Sequence, residues 1–137
     1  MNTAVDDFDD FMEQRIAAAG AYVSGEASPL VRLLAVDSPA TLFAPRGGVA
    51  QGAAEVGARY VDDADGFRAP GRTQLEVLQV GASGDLAYWV GLQHATVQTD
   101  DMPRPGPLAL RVTEIFRREN GAWKLVHRHA DPHAQAL

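Results

Sequence analysis

The sequence predicts an α+β fold in which helices gathered in the first half pack under a mostly antiparallel sheet built from the second half. Three observations predict it. Apolar residues recur at spacings of three and four up to residue 65. From residue 73 onward the pattern changes to long runs rich in Val, Leu, Thr and aromatic residues, separated by turn signals. The pair Asn120-Gly121, flanked by two such runs, is a strong tight-hairpin signal. A curled sheet lying over the helices is the arrangement that buries both.

Taken in order, residues 4–23 place Val5, Phe8, Met12, Ile16, Ala19 and Val23 three or four apart, the stripe of an amphipathic helix. Thr3 is the expected N-cap, and Asp6, Asp7, Asp9 and Asp10 suit the positive end of the helix dipole; a solvated helix start is preferred over a cation site. Ser28-Pro29 supplies a cap and a first-turn proline for a short helix over 29–36, stopped by Asp37-Ser38-Pro39. Residues 40–45 and 46–52 read as two short strands around Gly47-Gly48. That glycine pair lacks the following Lys and the wider glycine spacing of a phosphate loop, so it reads as a turn. Residues 53–65 return to helix, with Val56 and Tyr60 four apart.

Beyond the loop 66–72, strands are expected over 73–82 and 86–98, around Ser83-Gly84-Asp85. The stretch DDMPRPGP, residues 100–107, cannot pair as a central strand and must be a loop or a sheet edge. Strands over 108–119 and 122–129 follow. On the run 86–98 neither alternating face is polar, which points to a second subunit covering the outer face of the sheet.

Composition narrows the function classes. The 137 residues, 46% hydrophobic, make one ordinary domain, expected to span 1–137, with enough apolar side chain for a substantial core. A net charge of -6 argues against a surface that neutralises nucleic-acid phosphates or docks on an anionic membrane. No segment approaches the roughly 20 apolar residues that cross a bilayer, and the acidic start does not resemble a signal peptide, so a cytoplasmic location is expected. With no cysteine, disulfides, thiolate nucleophiles and Cys-type zinc sites are absent.

Two stretches carry a family resemblance: LRVTEIFRRENGAWKLVHRHAD and DSPATLFAPRGGVAQGAAEV. Phe116, Arg117-Arg118, the Asn-Gly turn, Trp123 and the Val-His-x-His ending are its strongest part. Together with the element order they resemble the nuclear-transport-factor-2-like superfamily, specifically its SnoaL-like, ketosteroid-isomerase-like bacterial members. The ending is also similar to the association domain of calcium/calmodulin-dependent kinase II. The resemblance implies a cone-shaped α+β barrel, usually dimeric, whose three helices and strongly curved sheet enclose a pocket. Fold alone gives no function, because this cone serves isomerases, cyclases, dehydratases and pure assembly modules.

In the isomerase branch an aspartate base, a tyrosine and a protonated aspartic acid work on a ketone. By the resemblance the base position falls on Ala44 and the tyrosine position on or next to Ala18. The third role falls on Glu114, which keeps an acid. Ketosteroid-type isomerisation is therefore not expected. If Glu114 faces the cone, Val112 and Phe116 do too, and matching the neighbouring strands turns Tyr88, Val90, Leu92, His94, Val126 and Arg128 inward. Phe11, Arg15, Ala18 and Tyr22 share a face of the first helix. Glu114 and His94 are the candidate catalytic groups; Tyr88, Arg128, Arg15, Tyr22, Phe116 and Val90 are the candidate ligand contacts. Glu114 should either carry a raised pKa in an apolar cone or pair with Arg15 or Arg128.

The run HRHADPH invites a metal reading, and His127, His129 and Asp131 are enough ligands by count. Its spacing departs from the H-x-H-x-D-H motif it approaches, because Pro132 intervenes before His133. Strand parity instead sends His127 and His129, with Trp123 and Leu125, to the outer face, where a dimer partner would pack. No cofactor and no metal is expected. The leading expectation is a dimeric protein that binds a small partly apolar metabolite, with or without transforming it. A non-enzymatic assembly module and a metal-dependent enzyme using the terminal histidines are the alternatives.

Overall fold

The sharpest departure from a simple helix-then-sheet reading lies just after residue 31, where backbone that should continue a helix instead joins the sheet. The computed structural model describes residues 4–134, with backbone alone for residues 4–6. The expected cap Thr3 and the side chain of Val5 lie outside it. Helix α1 runs Ala4–Tyr22. Helix α2 is only Ser28–Val31, shorter than the expected 29–36. The reason is visible in the hydrogen bonds: Leu125 N–H donates to Leu33 O at 2.8 Å and Ala35 N–H to Leu125 O at 3.0 Å. A backbone group satisfied by a strand is unavailable to a helix.

Strands β1 (Thr41–Phe43) and β2 (Val49–Gln51) form the small hairpin, and α3 spans Ala53–Ala64. The long strands are β3 (Arg72–Ser83), β4 (Leu86–Val97), β5 (Gly106–Glu119) and β6 (Ala122–Pro132). They make one six-stranded sheet in the order β2-β1-β6-β5-β4-β3, which curls over the helices without closing. Every pairing is antiparallel except β1 with β6. Asn120 and Gly121 have φ of 51° and 82°, the two left-handed residues that a tight hairpin matched to strand twist requires.

The core fills the concave side. Phe8 and Phe11 of α1 meet Phe116 of β5 at ring-centroid distances of 5.1 and 5.2 Å, and Trp123 of β6 stands edge-on to Phe8 at 5.4 Å. Phe116, wholly buried, therefore belongs to this aromatic cluster. Two register shifts steer the sheet. One, between Val77 and Gln79, inserts Leu78 into the edge strand β3. The other pairs Ile115 with His127 but Phe116 with Leu125, so Val126 has no partner across the ladder.

That second bulge corrects the expected facing of the last strand. Simple alternation would put Trp123, Leu125, His127 and His129 on one side. The extra residue moves Trp123 and Leu125 into the core with Arg128, while His127 and His129 stay outside.

Candidate functional site

A charged side chain at the centre of a cone must find its counter-charge there, because desolvation without a partner is costly. Glu114 is wholly buried. Helix α1 brings Arg15 to it from one side, and β6 brings Arg128 from the other. Arg15 Nε and Nη2 donate to the two carboxylate oxygens at 2.9 and 2.7 Å, a bidentate clasp. Arg128 Nη1 donates to Oε2 at 2.7 Å, and the indole N–H of Trp89 donates to Oε1 at 2.7 Å. Arg128 Nη2 reaches on to Gln93 Oε1 at 2.8 Å.

Electrostatics follow from this packing. Burial alone would raise the Glu114 pKa, but the two guanidinium groups outweigh it and hold the carboxyl at about 2. Burial likewise works against charged Arg15, and Glu114 more than restores it.

Beyond Arg128 the cone opens into a pocket of about 850 Å³. Tyr22 of α1, Tyr60 of α3, Leu42 of β1 and Ala44 just after it, Gln93 of β4 and Leu110 of β5 wall its deep part, with Arg128 among them. Glu114 and Arg15 stand behind this lining. The rim carries five aspartates and three arginines, two of the arginines paired as Arg59–Asp63 and Arg68–Asp100. Tyr22 donates its hydroxyl to the carbonyl of Tyr60 at 2.9 Å. Among the described residues, the hydroxyl of Tyr60 and Nη1 of Arg15 are buried without a hydrogen-bond partner. Burial raises both phenol pKa values, so both hydroxyls stay protonated at neutral pH.

The candidates from sequence divide cleanly. Glu114, Arg15, Arg128 and Tyr22 come together, as the shared helix face and strand alternation imply. Tyr88, Val90 and His94 do not, because the facing of β4 is the reverse of that expected. Trp89 lies directly opposite Glu114 and Gln93 opposite Leu110, and cross-strand partners share a face. Trp89, Gln93 and Ala95 thus point inward, and Tyr88, Val90, Leu92 and His94 point outward. His94 is 44% exposed there, its Nε2 at 2.9 Å from Glu76. Gln93, Trp89 and Tyr60 were missed as site residues. For Tyr60 the signal was its place on the apolar stripe of α3 with Val56; for Trp89 and Gln93, only the register could reveal it.

On the outer face His127 and His129 flank the ring of Phe43 at 4.9 and 5.5 Å, and His129 Nε2 lies 3.7 Å from Asp131 Oδ2. His127 Nδ1 lies 2.7 Å from Thr41 Oγ1, and Asp131 is held bidentate by Arg111 at 2.6 and 2.8 Å. Burial and the neighbouring His129 keep the His127 pKa below its ordinary value. Among the described residues, no three His, Asp or Glu side chains are grouped to hold a metal ion.

Helices wrapped by a curled, mostly antiparallel sheet around a pocket define a nuclear-transport-factor-2-like α+β cone. A family model for the SnoaL-like domain matches residues 17–132, and the chain belongs to that family. Solved structures agree on the fold. A nuclear transport factor 2-like superfamily protein from Salmonella enterica is 16% identical with a TM-score of 0.80, covering 98% of this chain and 96% of that one. A ketosteroid isomerase-like protein from Erwinia carotovora is 17% identical with a TM-score of 0.69, covering 90% and 94%. The CaMKII hub of S. rosetta is 23% identical with a TM-score of 0.65, covering 90% and 94%. No curated protein sequence matches the chain. No helix among the described residues is long and apolar enough to cross a membrane.

Proposed function

We propose that the chain binds a small, partly apolar metabolite in the cone pocket and self-associates through the outer face of its sheet. The observation that carries the first part is the pocket itself: a concave, largely apolar space whose inner end is a fixed guanidinium, Arg128, oriented by Glu114 and Gln93. In this reading Glu114 is a positioning group. A carboxylate held at about 2 is a poor proton donor and acceptor near neutrality, and it stands behind the lining. His94, on the far side of the sheet, takes no part in the pocket. With Ala44 in the pocket wall and Ala18 buried, the residues resembling the base and tyrosine positions offer no proton chemistry, so ketosteroid-type isomerisation is not proposed.

The second part rests on the outer face, where Tyr88 of β4, Ile115 of β5 and Phe43 of β1 are each more than a third exposed. A purely assembling role is the rival reading, favoured by this face and by the hub named among the similar structures.

A plugged pocket separates the two. Leu108, partly buried and lining the pocket, can be changed to Trp while the Arg15–Glu114–Arg128 triad is left intact. Saturation-transfer NMR against a panel of partly apolar metabolites should find binders to the native chain that the Leu108→Trp variant, still folded and still associated, no longer binds. Binding that survives the plug would overturn the pocket reading.

A further inference from the structure

The buried charges beneath the pocket do not balance. Among the described residues, the buried charged residues are Arg15, Arg128 and Glu114. Two guanidinium cations meet one carboxylate, which leaves one positive charge inside the cone. Gln93 contributes a carbonyl dipole to Arg128 but no charge. Arg128 faces the pocket, so this excess charge is met by solvent or by an anion that enters.

A second, independent feature lies in the same wall. Tyr60 is 4% exposed, lines the pocket, and its hydroxyl is without a hydrogen-bond partner among the described residues. Buried hydroxyls are normally satisfied. The oxygen itself has almost no accessible surface, so a bound oxygen meets this donor once the Tyr60 ring turns toward the pocket. The contacts of Arg128 to Glu114 and Gln93 use one N–H each of the five that a guanidinium carries, so it retains donors of its own.

Resting on the pocket reading above, we infer that the ligand is a singly charged carboxylate with an apolar body, its carboxylate held between the guanidinium of Arg128 and the hydroxyl of Tyr60. The apolar body then lies along Leu42, Leu110 and Leu108 toward the opening. One carboxylate cancels the excess charge, whereas a second would have none to meet. The five rim aspartates against three arginines further disfavour a dianion.

The test is isothermal titration of the full chain with alkyl and aryl monocarboxylates of four to ten carbons, their primary amides, and the matching dicarboxylates. The inference expects at least one monocarboxylate to bind, its amide to bind at least about tenfold more weakly, and the dicarboxylate to be weaker too. Tyr60→Phe should weaken the acid about tenfold and the amide by less. Because it removes an unsatisfied group, this variant should melt no lower than the native chain. An amide or a dicarboxylate that binds as well as the acid, or an acid indifferent to Tyr60→Phe, overturns the inference and leaves the pocket reading standing. If no acid binds the folded chain, the inference is overturned. If Leu108→Trp also spares every neutral binder, the pocket reading falls with it.

Discussion

Arg15 and Glu114, 99 positions apart in sequence, meet through two parallel hydrogen bonds of 2.9 and 2.7 Å at the centre of the cone. One comes from the first helix and the other from the fifth strand, so the contact ties the helical layer to the sheet. It also sets the direction in which Arg128 faces the pocket, since both arginines share Oε2.

Replacing this carboxylate should therefore be costly. Glu114→Gln leaves two buried guanidinium groups without a counter-charge, and breaking a buried pair in this way typically costs about 3 to 5 kcal/mol. Urea unfolding should show the free energy of unfolding fall by that amount. A variant within about 1 kcal/mol of the native chain would mean that the triad does not brace the fold.

Acid should weaken the fold through the same group. The folded pKa of Glu114, about 2, lies below its ordinary value of 4.5. Its contribution is then fully present above pH 4.5 and is lost as the pH falls toward 2. Comparing urea midpoints of the native chain and Glu114→Gln from pH 7 to 3, the gap should stay constant down to about 4.5 and narrow below it. A gap that narrows between pH 7 and 5 would contradict the assignment.

Gly91 marks where the edge strand bulges against its neighbour. A Cβ at this position would lie 2.0 Å from the backbone oxygen of Glu76, which cannot yield as a flexible side chain would. Gly91→Ala should cost at least about 2 kcal/mol, read by thermal or urea unfolding. A neutral effect would mean that β3 and β4 are less closely apposed.

On the outer face, Ile115 sits between Tyr88 and His127 across the ladder. Ile115→Lys should convert a self-associated species to monomer in sedimentation velocity, with little change in monomer stability. A native chain that sediments as a monomer at micromolar concentration would contradict self-association through this face.

The fold was legible in the sequence because its signals are local: the stripe of α1, the Asn120-Gly121 turn, the prolines that keep 100–105 out of the strands. The site was legible in part, for a physical reason. Arg15 and Tyr22 follow from helix periodicity, and Glu114 and Arg128 from inward-facing positions. The facing of β4 was not legible, since Tyr88, Val90 and Leu92 are as apolar as Trp89, Gly91 and Ala95, and only pairing with Glu114 decides between them. Trp123 and Leu125 were misplaced because a one-residue bulge at Val126 leaves no mark in a hydrophobic pattern. The end of α2 at Val31 depends on Leu125, 94 positions onward, and is equally silent locally.

If a ligand sits in the space beyond Arg128, binding perturbs the residues around it. Amide chemical-shift mapping with a bound monocarboxylate tests it most directly. The largest shifts should fall at Leu42, Tyr60, Gln93 and Leu110, around the pocket's deep end. Shifts confined to Tyr88, His94, Ile115 and His129, on the opposite face of the sheet, would contradict it.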